Sequence, residues 1–165
     1  MNAIDLYSGI GGWTLGMKLS GVHHSKSYEW LPVSNVTHNN NFNSDNKEID
    51  IRKLRMSDIP KSGTVDFVVG SPPCTQFSFS NRGGKGDIED GLVDIYKFFE
   101  IVEYLKPKYW VMENVPRVSK IIDTLVEEDK RFMKFKGLFN FNEEVDFSKY
   151  GVPQKRKRTI CGNFP

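Results

Sequence analysis

Ala3-Ile4-Asp5-Leu6-Tyr7-Ser8-Gly9-Ile10-Gly11-Gly12 is a short apolar run of strand type that breaks on glycines. A helical pattern over residues 11–20 follows it. Glycines at such a strand-to-helix turn let the backbone approach a ligand closely and leave helix N-terminal amides facing it. The pattern departs from the dinucleotide fingerprint G-x-G-x-x-G, because the pair Gly11-Gly12 comes too early. Glu29 lies 20 residues after Gly9, where a second strand would end, the position of a carboxylate that binds ribose hydroxyls. A nucleoside compound without an obligatory pyrophosphate suits this turn, and S-adenosyl-L-methionine fits. The turn residues Tyr7, Ser8, Gly9, Ile10, Gly11 and Gly12, with Glu29 and Trp30, are therefore the candidate cofactor site. Trp30 has two readings, a ring stacked on adenine or a core aromatic.

Outward from that turn, strand and helix patterns alternate. Thr64–Val69 reads as a strand, stopped by Gly70 and two prolines. Leu92, Ile95, Tyr96, Phe99 and Val102 fall at helical spacing, and Pro107 ends that element. Lys108–Met112 is a further strand. Val118, Ile121, Ile122, Leu125, Val126 and Met133 mark one face of another helix. The alternation predicts an α/β fold, a Rossmann-like, mainly parallel sheet with helices on both faces, formed by residues 1–165 as one domain. Residues 34–48 are Asn-rich, beginning as a possible short helix and ending in a loop. Residues 80–91, with four glycines, read as a mobile loop, either a lid or a plain connection.

Hydrophobic residues make up 38% of the 165, with 12 Phe and 6 Tyr, which excludes a disordered chain. No apolar run approaches the roughly 18 residues of a membrane span, and the N-terminus has no signal-peptide pattern. The expected location is the cytoplasm, with Cys74 and Cys161 reduced. No Cys and His pattern at ligand spacing occurs, so no metal is expected. The net charge of +2 is unevenly spread: Lys155, Arg156, Lys157 and Arg158 put +4 in residues 151–165 and leave −2 for the rest. That cluster is either a local anion contact, such as a phosphate backbone, or a solvated basic turn.

Three further motifs carry chemistry. In Gly70-Ser71-Pro72-Pro73-Cys74-Thr75-Gln76, two prolines stiffen the chain after a strand and hold Cys74 at the carboxyl edge of the sheet, where open α/β folds bind ligands. A thiol in a Pro-rich turn suits a nucleophile better than a core filler, provided that its environment favours the thiolate. Glu113-Asn114-Val115-Pro116 brings a carboxylate to the same edge, for acid assistance or as a plain surface Glu. Alternation in Gln154-Lys155-Arg156-Lys157-Arg158 would put Gln154, Arg156 and Arg158 on one face of an extended segment, where guanidiniums could hold a carboxylate, a pyrimidine oxygen or a phosphate.

In this order, over nearly the whole chain, these motifs resemble the cytosine-C5 DNA methyltransferase family. DLYSGIGGWTLG is similar to its cofactor turn, Glu29-Trp30 to its ribose acid, and Asp50-Ile51 to its adenine-contacting pair. PPC is similar to its nucleophile motif, ENV to its catalytic Glu motif, and QKRKR to its Gln-x-Arg-x-Arg motif. The resemblance implies that Cys74 attacks C6 of a flipped-out cytosine in DNA. It implies that Glu113 hydrogen-bonds or protonates N3, that Asn114 helps hold the ring, that Arg158 steadies the base and Glu113, and that Arg156 contacts the flipped nucleotide or its phosphate. S-adenosyl-L-methionine is the implied cofactor, with Pro73 and Leu92 joining its pocket. Thr75-Gln76 departs from the family, which commonly has Gln directly after the nucleophile.

Family members continue past the Gln-x-Arg-x-Arg segment with a target-recognition domain and a last helix that completes the cofactor pocket. With the chain stopping at Pro165, the expectation is a catalytic subunit completed by a second protein chain carrying target recognition, or by homo-oligomerisation. The alternatives are a minimal methyltransferase acting on RNA or a free nucleotide, and a non-catalytic binding protein of the same fold. Leu15, Leu19 and Phe67 are expected to be only partly covered.

Overall fold

A computed structural model of the chain describes residues 1–73 and 88–165. The opening run forms β1 (Asn2–Leu6), and the glycine turn leads into α1 (Gly12–Leu19). Next come β2 (His23–Tyr28), α2 (Pro32–Phe42), β3 (Phe67–Gly70), α3 (Ile88–Leu105), β4 (Tyr109–Asn114), α4 (Arg117–Glu128), β5 (Phe141–Asp146) and β6 (Lys157–Asn163). The six strands form one sheet in the order β2-β1-β3-β4-β6-β5. The first four are mutually parallel, while β6 runs antiparallel to both β4 and β5. This is the mainly parallel α/β architecture that the alternating patterns predict.

Alternate residues of each strand face opposite layers. Ile4, Leu6, Val68, Trp110 and Met112 join the large core with Ile95, Phe98, Phe99 and Val102 of α3 and Val118, Ile122 and Leu125 of α4. Ala3 and Val69 face the other way and pack with Met17 of α1, flanked by Trp13 and Phe67. Phe99, Trp110, Phe135 and Phe139 form an aromatic cluster at the floor of α3, with ring centroids 5.5 to 6.4 Å apart, a spacing that suits tilted and edge-on packing.

Several boundaries differ from the predicted ones. β3 begins at Phe67 and includes Gly70, because Gly70 pairs with Leu6 and Met112 and its missing side chain is what permits the pairing. A Cβ there would lie 2.6 Å from the Leu6 carbonyl oxygen and 2.8 Å from Phe98 Cε2. α2 covers much of the Asn-rich segment: Pro32 starts it without needing a backbone N–H, and Asn35 and His38 are buried on its inner face. Ile88–Gly91, predicted as loop, open α3, while 80–87 lie outside the described residues. α4 ends at Glu128, and Met133 stands 46% exposed in a 3-10 turn over Met133–Leu138. β2 (HHSKSY) is a polar edge strand with little apolar signal of its own.

The tight meeting of Gly70 and Leu6 yields a paired expectation. Gly70→Ala should lower stability by about 1–3 kcal/mol through overpacking, seen as a lower denaturant midpoint. Gly16→Ala should raise it by about 0.5–1 kcal/mol, because nothing lies within 4 Å of the added methyl on that helical residue.

Candidate functional site

The parallel register sets Leu6, Gly70 and Met112 side by side, so the segments leaving β1, β3 and β4 emerge along one edge. From β1 the chain turns sharply: Tyr7, Gly9 and Gly11 all have positive φ (56°, 53° and 97°). Gly11 cannot be replaced without moving Phe42 and His38, whose rings occupy the space of a Cβ. Glu29, at the end of β2, is 6% exposed. Its carboxylate accepts from the Gly9 N–H at 2.8 Å and from the Trp30 and Leu31 N–H groups at 2.9 and 2.8 Å. One carboxylate thus clamps the glycine turn to the start of α2, with about one of its four lone-pair positions still open to a hydroxyl donor.

Beside this clamp lies a cleft of about 370 Å³ whose walls include Tyr7, Trp30, Asp50, Ile51, Arg52 and Pro73. Trp30 is 59% exposed, so it is a wall of this cleft and not a core aromatic. Asp90 and Asp94 of α3 close the far side. Arg52 grips both: Nη1 to Asp90 Oδ1 at 2.6 Å, Nη2 to Asp94 Oδ2 at 2.7 Å, and Nε to Asp94 Oδ1 at 3.0 Å. Those contacts hold the guanidinium pKa well above its ordinary value. The Tyr7 hydroxyl donates to Asp94 at 3.3 Å, and burial next to that carboxylate raises the phenol pKa. Against three carboxylates stand the Arg52 guanidinium and the exposed Lys53 ammonium 3.2 Å from Asp50, which leaves the cleft with a net negative charge. That suits a cationic nucleoside and disfavours a pyrophosphate. Of the predicted cofactor residues, Tyr7, Trp30, Asp50, Ile51 and Pro73 line the cleft, whereas residues 8–12, Glu29 and Leu92, which is 4% exposed within the core, do not.

Below the glycine turn runs a buried polar chain. Thr14 Oγ1 donates to Asp5 Oδ2 at 3.1 Å and lies 3.0 Å from His38 Nε2; Ser27 Oγ is 3.2 Å from the same nitrogen and 2.8 Å from His24 Nε2. Asn46 Nδ2 lies 2.8 Å from His38 Nδ1, which fits a neutral His38 that accepts at Nδ1 and donates at Nε2. Asp5 is fully buried and its Oδ1 has no hydrogen-bond partner among the described residues. Desolvation, with the nearby Glu29 charge adding to it, pushes its pKa up from 3.8 to about 8.

At the end of β4, Arg158 Nε on β6 meets Glu113 Oε1 at 2.9 Å, with both side chains roughly one-fifth exposed. Asn114, 1% exposed, donates through Nδ2 to the Pro72 carbonyl at 3.1 Å and accepts from the Val115 N–H at 2.9 Å. Its amide is thus engaged with backbone on both sides. Lys157 pairs with Glu144 at 2.6 Å. β6 starts only at Lys157, and Gln154 sits in a turn with its N–H on the Val152 carbonyl at 2.8 Å. Of Gln154, Arg156 and Arg158 only Arg158 lies within the strand; Gln154 and Arg156 precede it and are exposed, while Arg158 is partly buried. Cys74 lies outside the described residues. Among the described residues no group of three or more His, Cys, Asp or Glu could hold a metal ion, and no helix is long and apolar enough to cross a membrane.

Residues 1–164 match the family profile described as C-5 cytosine-specific DNA methylase. The chain belongs to that family. It is 35% identical over 162 residues to the type II methyltransferase M.HindV of Haemophilus influenzae, covering 96% of this chain and 51% of that protein. It is 34% identical to M.NgoBI of Neisseria gonorrhoeae, covering 98% and 50%. Among solved structures it is similar to a DNA modification methyltransferase of an E. coli prophage, with TM-score 0.72 and 27% identity over 98% of this chain and 46% of that one. The S. pombe Dnmt2 methyltransferase shares the fold, with TM-score 0.70 at 22% identity over the whole of this chain and 50% of that one. The chain thus spans about half the length of the curated relatives it matches.

Sequence reading passed over Arg52, Asp90 and Asp94, although Asp90 and Asp94 stand four apart on α3 and Arg52 directly follows Asp50-Ile51. It also passed over Trp13 and Ser71, which meet only in the fold. The Asp5 carboxyl makes a pH-dependent contribution of definite sign. Because its folded pKa is raised, the folded state binds the proton more tightly. Its stabilisation is full below about 4 and lost as pH rises towards about 8. His24 and His38, lowered mainly by burial, act oppositely: their contribution is full above 6.5 and lost as pH falls through their folded values. Asp5→Asn should therefore gain on wild type as pH is raised through this window. Melting temperatures that change in parallel across it would overturn the assignment.

Proposed function

We propose that this methylase-family chain transfers the methyl group of S-adenosyl-L-methionine to C5 of cytosine in DNA, through an adduct between Cys74 and C6. The observation that carries the reading is the Glu113–Arg158 pair at 2.9 Å, one strand over from the end of β3, beyond which Cys74 follows. A carboxyl group braced by a guanidinium can be held towards a pyrimidine N3 and share or donate a proton there. The Cys74 thiolate forms the S–C6 bond while Glu113 offsets charge at N3, which leaves C5 electron-rich. The cofactor supplies an electrophilic methyl group to C5. A base then takes the C5 proton, the S–C6 bond breaks, and the thiolate is restored.

The cofactor reading rests on the cleft chemistry. Asp50, Asp90 and Asp94 outnumber Arg52 around a cavity walled by Trp30 and Tyr7, which favours a ligand that carries a sulfonium and an ammonium. Ribose hydroxyls would use the open lone pair of Glu29. Exposed Lys155 and Arg156 suit phosphate contacts. Residues 1–165 act as the catalytic domain, in the cytoplasm. A second chain carrying target recognition, or self-association, covers the exposed Leu15, Leu19, Leu31, Val33 and Val36 of α1 and the α2 start.

Duplex DNA containing 5-fluorocytosine tests the chemistry, since fluorine cannot leave as a proton does. The wild-type chain, with cofactor and any partner it requires, should form a denaturation-resistant adduct. Cys74→Ser should form none, and Glu113→Gln should trap at least roughly tenfold more slowly. Methylation by Cys74→Ser at the wild-type rate would sink the mechanism. For the cofactor, S-adenosylhomocysteine should raise the melting temperature by mass action, and Glu29→Ala should reduce that rise.

A further inference from the structure

Ser71 and Pro72, the residues that lead from β3 towards Cys74, are held from three sides. The Ser71 N–H donates to the Leu6 carbonyl at 3.3 Å. The Pro72 carbonyl accepts from Asn114 at 3.1 Å. The Ser71 hydroxyl oxygen accepts from Trp13 Nε1 at 2.9 Å. The third brace differs in origin, because Trp13 belongs to the first turn of α1, the helix that opens out of the glycine turn. Its ring is half-buried against the small cluster of Ala3, Met17 and Val69, so packing fixes the direction of its single N–H donor. Leu6, Asn114 and Trp13 thus leave the Ser71–Pro72 segment little freedom to move independently of β1, β4 and α1.

We infer that Trp13 is a positioning residue that couples the cofactor turn to the segment carrying Cys74, through its hydrogen bond to Ser71. The inference rests on the reading of the cleft as a cofactor site and of Cys74 as the nucleophile. A ligand that settles the glycine turn also settles the first turn of α1, and the indole N–H passes that restriction to Ser71. Neither residue touches the reacting atoms. Their effect is on the Ser71–Pro73 exit of β3, the segment that precedes Cys74, when cofactor is present.

Thiol alkylation reads this without turnover. The chain has two cysteines, and Cys161 is buried with its thiol pKa raised by desolvation, so the iodoacetamide rate reports Cys74, with Cys74→Ser as the blank. Saturating S-adenosylhomocysteine is expected to slow alkylation of the wild type. In Trp13→Phe, which keeps the ring and loses the donor, and in Ser71→Ala, which loses the acceptor, the slowing should be weaker by roughly fivefold. The double variant should be no weaker than either single one. Single variants that retain the wild-type slowing, or losses that add in the double variant, overturn the coupling. A wild type that binds S-adenosylhomocysteine by calorimetry without any slowing overturns it too, leaving the cofactor reading intact. Absence of calorimetric binding removes the cofactor reading and the coupling together, so the two failures are distinguishable.

Discussion

The level register of Leu6, Gly70 and Met112 across β1, β3 and β4 is the constraint on which the rest of this molecule depends. Parallel strands in register deliver their exits to the same edge, so three loops that are remote in sequence become neighbours without any loop having to be long. The register is enforced at its centre, where β1 and β3 approach so closely that only a hydrogen fits at position 70. Three described segments with candidate chemistry stand on that edge: the glycine turn after β1, the Ser71–Pro73 exit of β3 and the Glu113–Asn114 end of β4. The antiparallel return of β6 beside β4 then brings Arg158 diagonally across to Glu113.

Electrostatics divide the edge into two regions. The cleft side is acidic, with Asp50, Asp90 and Asp94 arranged around Arg52. The opposite end carries exposed Lys155 and Arg156 beyond the β6 start. Arg52 is used as a fork, bonding two α3 carboxylates at once, a geometry that a lysine could not reproduce. The fork ties the Asp50-Ile51 turn to α3 and sets the width of the cleft. Beneath it, Asp5 and Glu29 lie buried under one glycine turn, and the protein treats them differently. Glu29 accepts three backbone N–H bonds, whereas Asp5 has one oxygen unpartnered among the described residues. Burial of a carboxylate without full hydrogen bonding favours its neutral form, which keeps two negative charges from crowding the turn.

The sequence was most legible where local chemistry dictates structure. The strand, glycine turn and helix of residues 3–19 follow from apolar pattern and positive-φ demand, and α3 and β4 follow from periodicity ended by Pro107. Legibility failed where polar elements are held by tertiary contacts. β2 is an edge strand of His, Ser and Lys that offers almost no apolar alternation, and α2 is Asn-rich because its inner face packs Asn35 and His38 against a polar network. At the other end of the chain, alternation in Gln154–Arg158 suggested one extended segment, yet a turn at Gln154 delays the strand to Lys157, so that only Arg158 of the three stands in it.

By itself, then, the sequence determined the fold class, the family and the glycine turn that links β1 to α1, because glycine placement, strand periodicity and short motifs act over a few residues. Only the tertiary structure decided what those residues touch. It turned Glu29 into a backbone clamp and directed the Asn114 amide to Pro72. It also gave Arg52 two carboxylates 38 and 42 residues away and brought Trp13 to Ser71 across 58 residues. Such pairings depend on the register and separation of packed strands and helices, and those are set by burial summed over the whole core, which no short stretch of sequence records.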